Sequence, residues 1–530
     1  MEATVENAPL APSSRTAVAS RVRVEQLIKA YFGGNALIAV IVLALITFFL
    51  IREGSGFFGQ NLANLRLYRS AGLEYVDIIR GTADGHAMLS RGLSDLRLRQ
   101  FRIGERAGIP LEETNASLAE FDQFASAFSD TATDINGLVS DLGEQATALK
   151  EQLFARAELS AQRDGLQRRG MHAEAAAITI PEVDRATAMT VLATGTPGFE
   201  AASAKVSTEL NQLLATAPTF ADAGVQQAFD KWKQRVRAYL ATLPVAQEKL
   251  RTWSGDTPVP WYRSISSFLF GEDWITASFW QDWYGIRPLL VGSILVSVVA
   301  LMFAVPLGVA SAIYVSEIAT SHERRFIKPY IEFISAIPSV VLGFFGIAVV
   351  GQAVRALSEL PALAWVPFFP ISERLNIFTA GLLLALMAVP TIFTLSEDAL
   401  RNVPRGFKEA SYALGANRLQ TIARILVPAS LSGIVSAVLL GLGRVIGETM
   451  VVLLCAGNRI EIPDFTQGLG AMFQPVHTMT GIIAQEMGEV VRGSTHYRAL
   501  FMVGLVLFTI TLGINFLAQK FVARYRMSIG

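Results

Sequence analysis

Six long apolar runs divide the chain, and each is about as long as a helix that crosses the ~30 Å hydrocarbon core of a bilayer. They cover residues 32–51, 289–315, 331–350, 377–395, 431–457 and 500–517. Pro306, Pro338 and Pro390 are expected to bend these helices rather than end them, because neighbouring helices can satisfy the freed carbonyl groups. The pattern predicts an all-α integral membrane protein with six spans.

Basic residues between the runs predict the orientation of the chain. Clusters of arginine and lysine follow the second, fourth and sixth runs: Arg324, Arg325 and Lys328; Arg401, Arg405, Lys408, Arg418 and Arg424; and Lys520, Arg524 and Arg526. Because cytoplasmic loops carry an excess of basic residues, these loops and both termini are expected in the cytoplasm. Residues 1–31 are then a cytoplasmic segment and residues 32–51 an uncleaved first span. The competing interpretation is a cleaved signal peptide, for which the run is long.

A polar segment at residues 52–260 separates the first run from the second. Two sets of apolar residues recur in it every seven positions, the second set four residues after the first: Phe121, Phe128, Ile135, Leu142 and Leu149, and Ala125, Ala132, Val139, Ala146 and Leu153. This spacing predicts one long helix in a coiled coil or helical bundle. Given the orientation of the chain, the segment is expected to be an extracytoplasmic helical insertion domain.

Aromatic residues are concentrated at residues 261–284, immediately before the second run. They include Trp261, Phe268, Trp274, Trp280 and Tyr284. Tryptophan and tyrosine are typical of the membrane–water interface. The segment is therefore expected to be an interfacial helix that anchors the polar domain at the bilayer, in preference to an aromatic cage for a ligand.

The composition is that of a membrane protein and argues against several kinds of site. Hydrophobic residues make up 52% of the 530 residues and charged residues 17%, with 45 basic and 45 acidic side chains. With one cysteine, Cys455, and five scattered histidines, we expect no internal disulfide, metal site or cofactor. The chain contains no Gly-x4-Gly-Lys-Ser/Thr loop and no nucleophile–base–acid set, so we expect neither an enzyme nor an ATP site of its own. Nothing indicates nucleic-acid binding.

A polar stretch at residues 408–428 leads directly into the fifth apolar run. Residues 409–414 are predicted to form one short helix and residues 417–426 a second, with Gly415 between them because glycine tolerates a positive φ. Such a bent, charged surface is suited to docking a partner. The alternative is an ordinary amphipathic hairpin near lipid headgroups.

Two charged residues, Arg444 and Glu448, lie within the fifth run. Since they are four residues apart, they are expected on one face of a single helix. Charge within a membrane is costly, so the pair indicates a functional site that faces a bundle interior or a water-filled path. The alternative is a structural ion pair that holds helices together. Gly443 and Gly447 form a Gly-x-x-x-Gly motif, which predicts close helix packing.

Two motifs resemble those of a known transporter family. The spacing of six residues resembles the EAA loop of ABC-transporter permeases: Glu409, Ala410, Ser411, Gly415, Ile425 and Pro428. The run GLGRVIGETM at residues 441–450 is similar to one in the fifth span of the PstC-type phosphate permeases, and the resemblance covers residues 283–526. It implies an ABC permease domain at residues 285–526 with a coupling loop at residues 405–428. The insertion at residues 52–260 has no counterpart in the ordinary short PstC-type permease.

The resemblance implies the membrane subunit of an ATP-driven phosphate importer in the bacterial inner membrane. Arg444, Glu448 and Thr449 are then on the substrate path, where the guanidinium offers two parallel hydrogen bonds to phosphate oxygens. The six residues of the EAA-like loop are then the contact with the ATPase. The implied partners are a PstA-like permease, a PstB-like ATPase dimer and a PstS-like phosphate-binding protein, besides phosphate and membrane lipid.

Two alternatives remain at this point. Sulfate or molybdate is the alternative substrate, since related oxyanion permeases share the EAA loop. A membrane sensor with an extracytoplasmic helical domain is the alternative function. The sensor is disfavoured because the chain continues into four further apolar runs instead of a signalling domain.

Overall fold

The computed structural model describes residues 12–363, 365–366 and 368–525, and the regular secondary structure of this part of the chain is helical apart from one short hairpin and one isolated β-bridge between Gly457 and Val476. The α-helices are α1 (Pro12–Ser70), α2 (Leu73–Arg106), α3 (Leu111–Asp130), α4 (Thr133–Arg168), α5 (His172–Ala177), α6 (Arg185–Ala193), α7 (Gly195–Ala215), α8 (Ala223–Thr252), α9 (Tyr262–Phe270), α10 (Arg287–Ile313), α11 (Ser321–Ile334), α12 (Ser339–Phe345), α13 (Gly351–Ser358), α14 (Ile377–Arg401), α15 (Arg405–Ala413), α16 (Arg418–Thr421), α17 (Val427–Ile446), α18 (Met450–Cys455), α19 (Met479–Glu486) and α20 (Thr495–Tyr525). Turns of π-helix cover Tyr314–Ile318, Gly346–Val350 and Ile422–Leu426, and 3₁₀ turns cover Pro361–Leu363 and Phe465–Phe473. The hairpin pairs β1 (Trp274–Ile275) with β2 (Trp283–Tyr284) in antiparallel fashion.

The chain divides into two compact units. The helical unit comprises Gln60–Ser264 and Ala277–Asp282. The membrane unit comprises the residues up to Gly59, Ile265–Thr276 and the residues from Trp283 onwards. The chain passes from one unit to the other at four points: within α1, within α9 and at each end of the hairpin loop.

In the helical unit, α2 packs against α3, α4 and α8. The first heptad set lies in this core: Phe121, Phe128, Ile135, Leu142 and Leu149 are all buried. The prediction of one long helix is nevertheless wrong, because the chain turns at Thr131 and Ala132 and forms α3 and α4 instead. The Thr131 hydroxyl donates a 2.8 Å hydrogen bond to the Phe128 carbonyl, and this local bond competes with the helical pattern.

The aromatic segment is not one interfacial helix. Helix α9 covers only Tyr262–Phe270, and the hairpin follows. The backbones of Gly271 and Gly285 lie so close that a Cβ atom on Gly271 would be 2.9 Å from Cα of Gly285, so the chain folds back here instead of continuing as a helix. Phe268, Trp274 and Tyr284 are buried in the membrane unit with Phe57, whereas Trp261, Phe270 and Phe279 are exposed.

The membrane unit contains the core in which α14 packs against α10, α17 and α18. Among the described residues, six helical segments are long and apolar enough to cross a membrane: Ile28–Ser70, Arg287–Ile318, Ser339–Ser358, Ile377–Arg401, Arg418–Ile446 and Thr495–Lys520. The prediction of an all-α protein with six spans is confirmed.

The third and fifth predicted spans have different bounds. The third begins at Ser339 rather than at residue 331, because Pro338 lacks an N–H and restricts the residue before it, so that α11 ends at Ile334 as a separate helix. The fifth ends at Ile446 rather than at residue 457, and a non-helical segment at Gly447–Thr449 precedes α18.

Candidate functional site

Arg444 lies in the last turn of α17 and its side chain is exposed. Its Nη1 donates a hydrogen bond of 3.1 Å to the Thr391 hydroxyl on α14. One bond leaves most of the guanidinium donors of Arg444 available. The arrangement therefore presents a fixed positive charge with open hydrogen-bonding positions.

Glu448 does not share a helix with Arg444, contrary to the prediction, because α17 ends between them. Its carboxylate Oε1 accepts a hydrogen bond of 3.2 Å from the Met450 N–H, and its carbonyl accepts one of 2.8 Å from the Thr480 hydroxyl. Among the ion pairs of the described residues, Arg444 and Glu448 are not partners. Thr449 follows in the same break, and its hydroxyl lies 3.5 Å from the Gly447 carbonyl oxygen.

Within the described part of the chain, neither glycine of the Gly-x-x-x-Gly motif makes a close contact with another helix. An added Cβ on Gly443 would meet no atom within 4 Å, and one on Gly447 would meet only the carbonyl oxygens of Gly443 and Arg444. The prediction of close packing is thus wrong for the described residues. The face of α17 that carries Arg444 is open.

The polar stretch before α17 forms the predicted helix–turn–helix. Gly415 has a φ of 80° and separates α15 from α16. Asn417 caps α16, since its side chain accepts from the Gln420 N–H while the Gln420 side chain accepts from the Asn417 N–H. A hydrogen bond of 2.9 Å between the Ser411 and Thr421 hydroxyls joins the two helices and holds their angle.

The second helix differs from the prediction at its far end. It does not stop at Leu426, because the π-helical turn Ile422–Leu426 continues directly into α17. Ile425 is half-buried within that turn, and Pro428 is exposed at the start of α17. A movement of the loop would therefore act directly on α17.

The outer surface of the loop is apolar at three positions: Leu414 is 89% exposed, Leu419 68% and Tyr412 47%. Glu409 and Ala410 are exposed beside them, whereas Ser411 is buried. Exposed apolar side chains grouped with polar ones are typical of protein–protein contact sites.

Two buried carboxylates near this loop were not predicted. Glu317 lies 2.7 Å from Nζ of Lys408, and the fully buried Glu397 lies 2.9 Å from Nζ of Lys328 and 2.7 Å from Nη2 of Arg401. The available signal was an acidic residue at the end of an apolar run, but the sequence does not show which cation each one pairs with. Thr391, the partner of Arg444, carried no sequence signal.

The comparisons with known proteins concern the membrane unit. Residues 304–527 match the family described as binding-protein-dependent transport system inner membrane component. The probable ABC transporter permease protein YqgH of Bacillus subtilis is 37% identical over 228 residues, which are 42% of this chain and 67% of that protein. The phosphate transport system permease protein PstC of Haemophilus influenzae is 31% identical over 273 residues, which are 49% of this chain and 84% of that protein.

A solved structure of the MetNI methionine ABC transporter in an inward-facing conformation is 21% identical with a TM-score of 0.33, and the match covers 46% of this chain and 94% of that chain. The family assignment rests on the sequence matches. Residues 60–264 of the helical unit lie outside the family match.

Proposed function

Because this chain belongs to the family of inner-membrane components of binding-protein-dependent transport systems, and within it to the PstC-type permeases, we propose that it conducts inorganic phosphate in an ATP-driven importer. The observation that carries the proposal is the placement of Arg444. Its guanidinium is held by Thr391 on an open helix face, with donors left for a planar, two-bonded contact with an oxyanion.

The proposed path runs along the open face of α17. Arg444, Glu448 and Thr449 lie where α17 ends and α18 begins, and non-helical backbone at membrane depth is tolerated where it lines a cavity. Since no atom of the described residues lies within 4 Å of a Cβ built on Gly443, we propose that the path lies between this subunit and a PstA-like permease. Glu448 would then accept a hydrogen bond from a protonated phosphate rather than neutralise Arg444.

ATP would be hydrolysed by a partner, since the sequence carries no phosphate-binding Gly-x4-Gly-Lys-Ser/Thr loop. We assign the contact with a PstB-like ATPase dimer to the loop that contains the six predicted coupling residues: Glu409, Ala410, Ser411, Gly415, Ile425 and Pro428. Its exposed Leu414 and Leu419 supply apolar anchors. A PstS-like binding protein would deliver phosphate from the other side of the membrane.

The orientation follows from the basic loops. With the loop at α15 and α16 in the cytoplasm and six spans, we infer that both termini of the inner-membrane protein lie in the cytoplasm and the helical unit outside. An outside location suits contact with the binding protein or with a regulator. Conduction is assigned to the membrane unit, which holds Arg444 and the loop.

The test is phosphate uptake by the complete complex in proteoliposomes. We expect ATP-dependent uptake of labelled phosphate that excess sulfate or molybdate does not displace. Arg444→Gln should lower uptake by roughly tenfold or more, since a hydrogen bond to a charged group contributes about 1.5–3 kcal/mol. Arg444→Lys should restore little, because a point charge does not reproduce the fork.

The matched control is Arg355→Gln, which removes an exposed arginine of α13 that pairs with Glu359 just after that helix. It should transport normally. If excess sulfate or molybdate reduced the uptake of labelled phosphate more strongly than excess unlabelled phosphate does, that anion would be identified as the substrate. Rescue of Arg444→Gln by a second change, Glu448→Gln, would show a structural charge pair instead of a substrate contact.

A further inference from the structure

Glu317 lies at the end of the α10 span, in the π-helical turn Tyr314–Ile318, and is only 9% exposed. A carboxylate this buried is costly unless a cation and hydrogen bonds accompany it. Lys408 supplies the cation, with Nζ 2.7 Å from Oε1, and the Ser316 hydroxyl donates a 3.0 Å hydrogen bond to the same oxygen. Short π-helical turns within longer helices are frequent at functional sites.

Lys408 belongs to α15 and directly precedes Glu409 in the coupling loop. Its ion pair therefore joins the first helix of the loop to the end of α10. The backbone joins the loop to α14 through residues 402–404 and to α17 through the π-helical turn Ile422–Leu426, and the Glu317–Lys408 ion pair is a further attachment, to α10.

Helix α11 connects the same end of α10 to α14. Arg324 donates from Nε to the Val315 carbonyl and from Nη2 to the Ser316 carbonyl, both at 2.8 Å, and so satisfies the last carbonyls of the turn that contains Glu317. Lys328 lies four residues later on the same face and donates to Glu397 of α14 at 2.9 Å. Helix α14 also carries Thr391, which holds Arg444.

We propose that the Glu317–Lys408 ion pair is a link through which movement of the coupling loop reaches α10 and α11. It acts together with the direct backbone connections of the loop to α14 and α17, so that ATP hydrolysis repositions Arg444 and its partner Thr391. This inference rests on the proposed function. Glu317 and Lys408 are positioning residues, since neither touches substrate or nucleotide. A merely structural pair would hold the loop in place without setting how much transport each ATP drives.

The experiment compares Lys408→Met, Glu317→Gln and the double variant in the complete complex in proteoliposomes. Lys408→Met should assemble poorly, because it leaves Glu317 buried without a cation. The double variant removes both charges and should assemble and hydrolyse ATP. Its ratio of phosphate imported to ATP hydrolysed should fall about tenfold, within the usual range of coupling between sites.

The control variant, Arg355→Gln with Glu359→Gln, removes an exposed ion pair. Its ratio of phosphate imported to ATP hydrolysed should equal that of the unmodified complex. A double variant of Glu317 and Lys408 with the unmodified ratio would overturn the inference and leave the proposed function intact. If the unmodified complex transports no phosphate, the proposed function itself fails. This outcome can be told apart from an unchanged transport ratio in the double variant.

A second measurement needs neither a variant nor phosphate. In the unmodified complex, binding of a non-hydrolysable ATP analogue should change amide hydrogen exchange both in α15 and in Tyr314–Ile318. A change in α15 with unaltered exchange in Tyr314–Ile318 would overturn the inference, whatever the variants show.

Discussion

His86 lies on α2, beside the turn between α3 and α4, and is 2% exposed. Its Nε2 is 2.9 Å from the Thr131 hydroxyl oxygen, and that hydroxyl already donates to the Phe128 carbonyl, so the ring must be the donor. The ring stacks on Phe128 at 4.5 Å between centroids. Burial in this apolar setting lowers the pKa of His86 to about 4.

The lowered pKa predicts that the helical unit is less stable in acid. The pKa is about 6.5 in the unfolded chain, so the neutral ring contributes its full stability above that pH and loses it as the pH falls towards 4. The loss should approach about 3 kcal/mol, from a shift of roughly 2.5 pH units. Amide hydrogen exchange of α3 and α4 peptides in the purified chain, measured between pH 7 and 4 and corrected for the intrinsic rate, would report it.

His86→Phe should flatten this pH dependence, because an aromatic ring can still stack on Phe128 and the Thr131 hydroxyl keeps its bond to the Phe128 carbonyl. His172→Gln, at an exposed position, should leave the dependence unchanged. A steep loss of protection that persists in His86→Phe would assign the acid sensitivity to other groups.

At the scale of an element, the proposed coupling loop owes the turn between α15 and α16 to one glycine. Gly415 adopts a left-handed conformation that costs a residue with a side chain about 1–2 kcal/mol. There is open space around it, since an added Cβ would meet nothing within 4 Å. The requirement at this position is therefore one of backbone conformation and not of packing.

We predict that Gly415→Leu changes the angle between α15 and α16 and lowers ATP-driven uptake at least several-fold, while the chain still inserts into the membrane. Substrate-stimulated ATPase activity of the complex is the measurement. Gly406→Leu is the matched control, because it adds the same side chain in open space at an α15 position without a positive φ. Equal activity of the two variants would show that the angle at Gly415 does not matter for coupling.

At the scale of the whole molecule, the helical unit is built mainly from one continuous stretch, Gln60–Ser264, together with the hairpin loop Ala277–Asp282. Within this unit, Trp280 donates from Nε1 to the Asp77 carboxylate at 2.6 Å, and Lys150 donates to the Trp280 carbonyl at 2.6 Å. The unit thus has its own core and its own polar contacts, which suits an added role distinct from conduction.

Replacing residues 60–264 with a flexible linker should keep some phosphate-dependent ATPase activity and change its dependence on the concentration of binding protein. Complete loss of activity in an assembled complex would make the helical unit part of the transport machinery. Ser140→Cys should react with a membrane-impermeant thiol reagent from the outside and Ser321→Cys from the cytoplasm, with the native Cys455 buried. The reverse labelling would refute the proposed orientation.

The sequence by itself determined the features that depend on local pattern and length. Six apolar runs were enough for the fold class, since a span must bury its own backbone hydrogen bonds and expose apolar side chains to lipid. The turn at Gly415 followed from the conformational freedom of glycine, and the match of residues 304–527 agrees with the motifs that suggested the family.

Only the tertiary structure decided which side chains meet. Arg444 pairs with Thr391 on α14 and not with Glu448, because α17 ends at Ile446 and Glu448 is held instead by Met450 and Thr480. The aromatic run folded into a hairpin because two glycine backbones approach each other. Such outcomes depend on contacts between residues far apart in the chain, and a local periodicity carries no information about the partner across a helix interface.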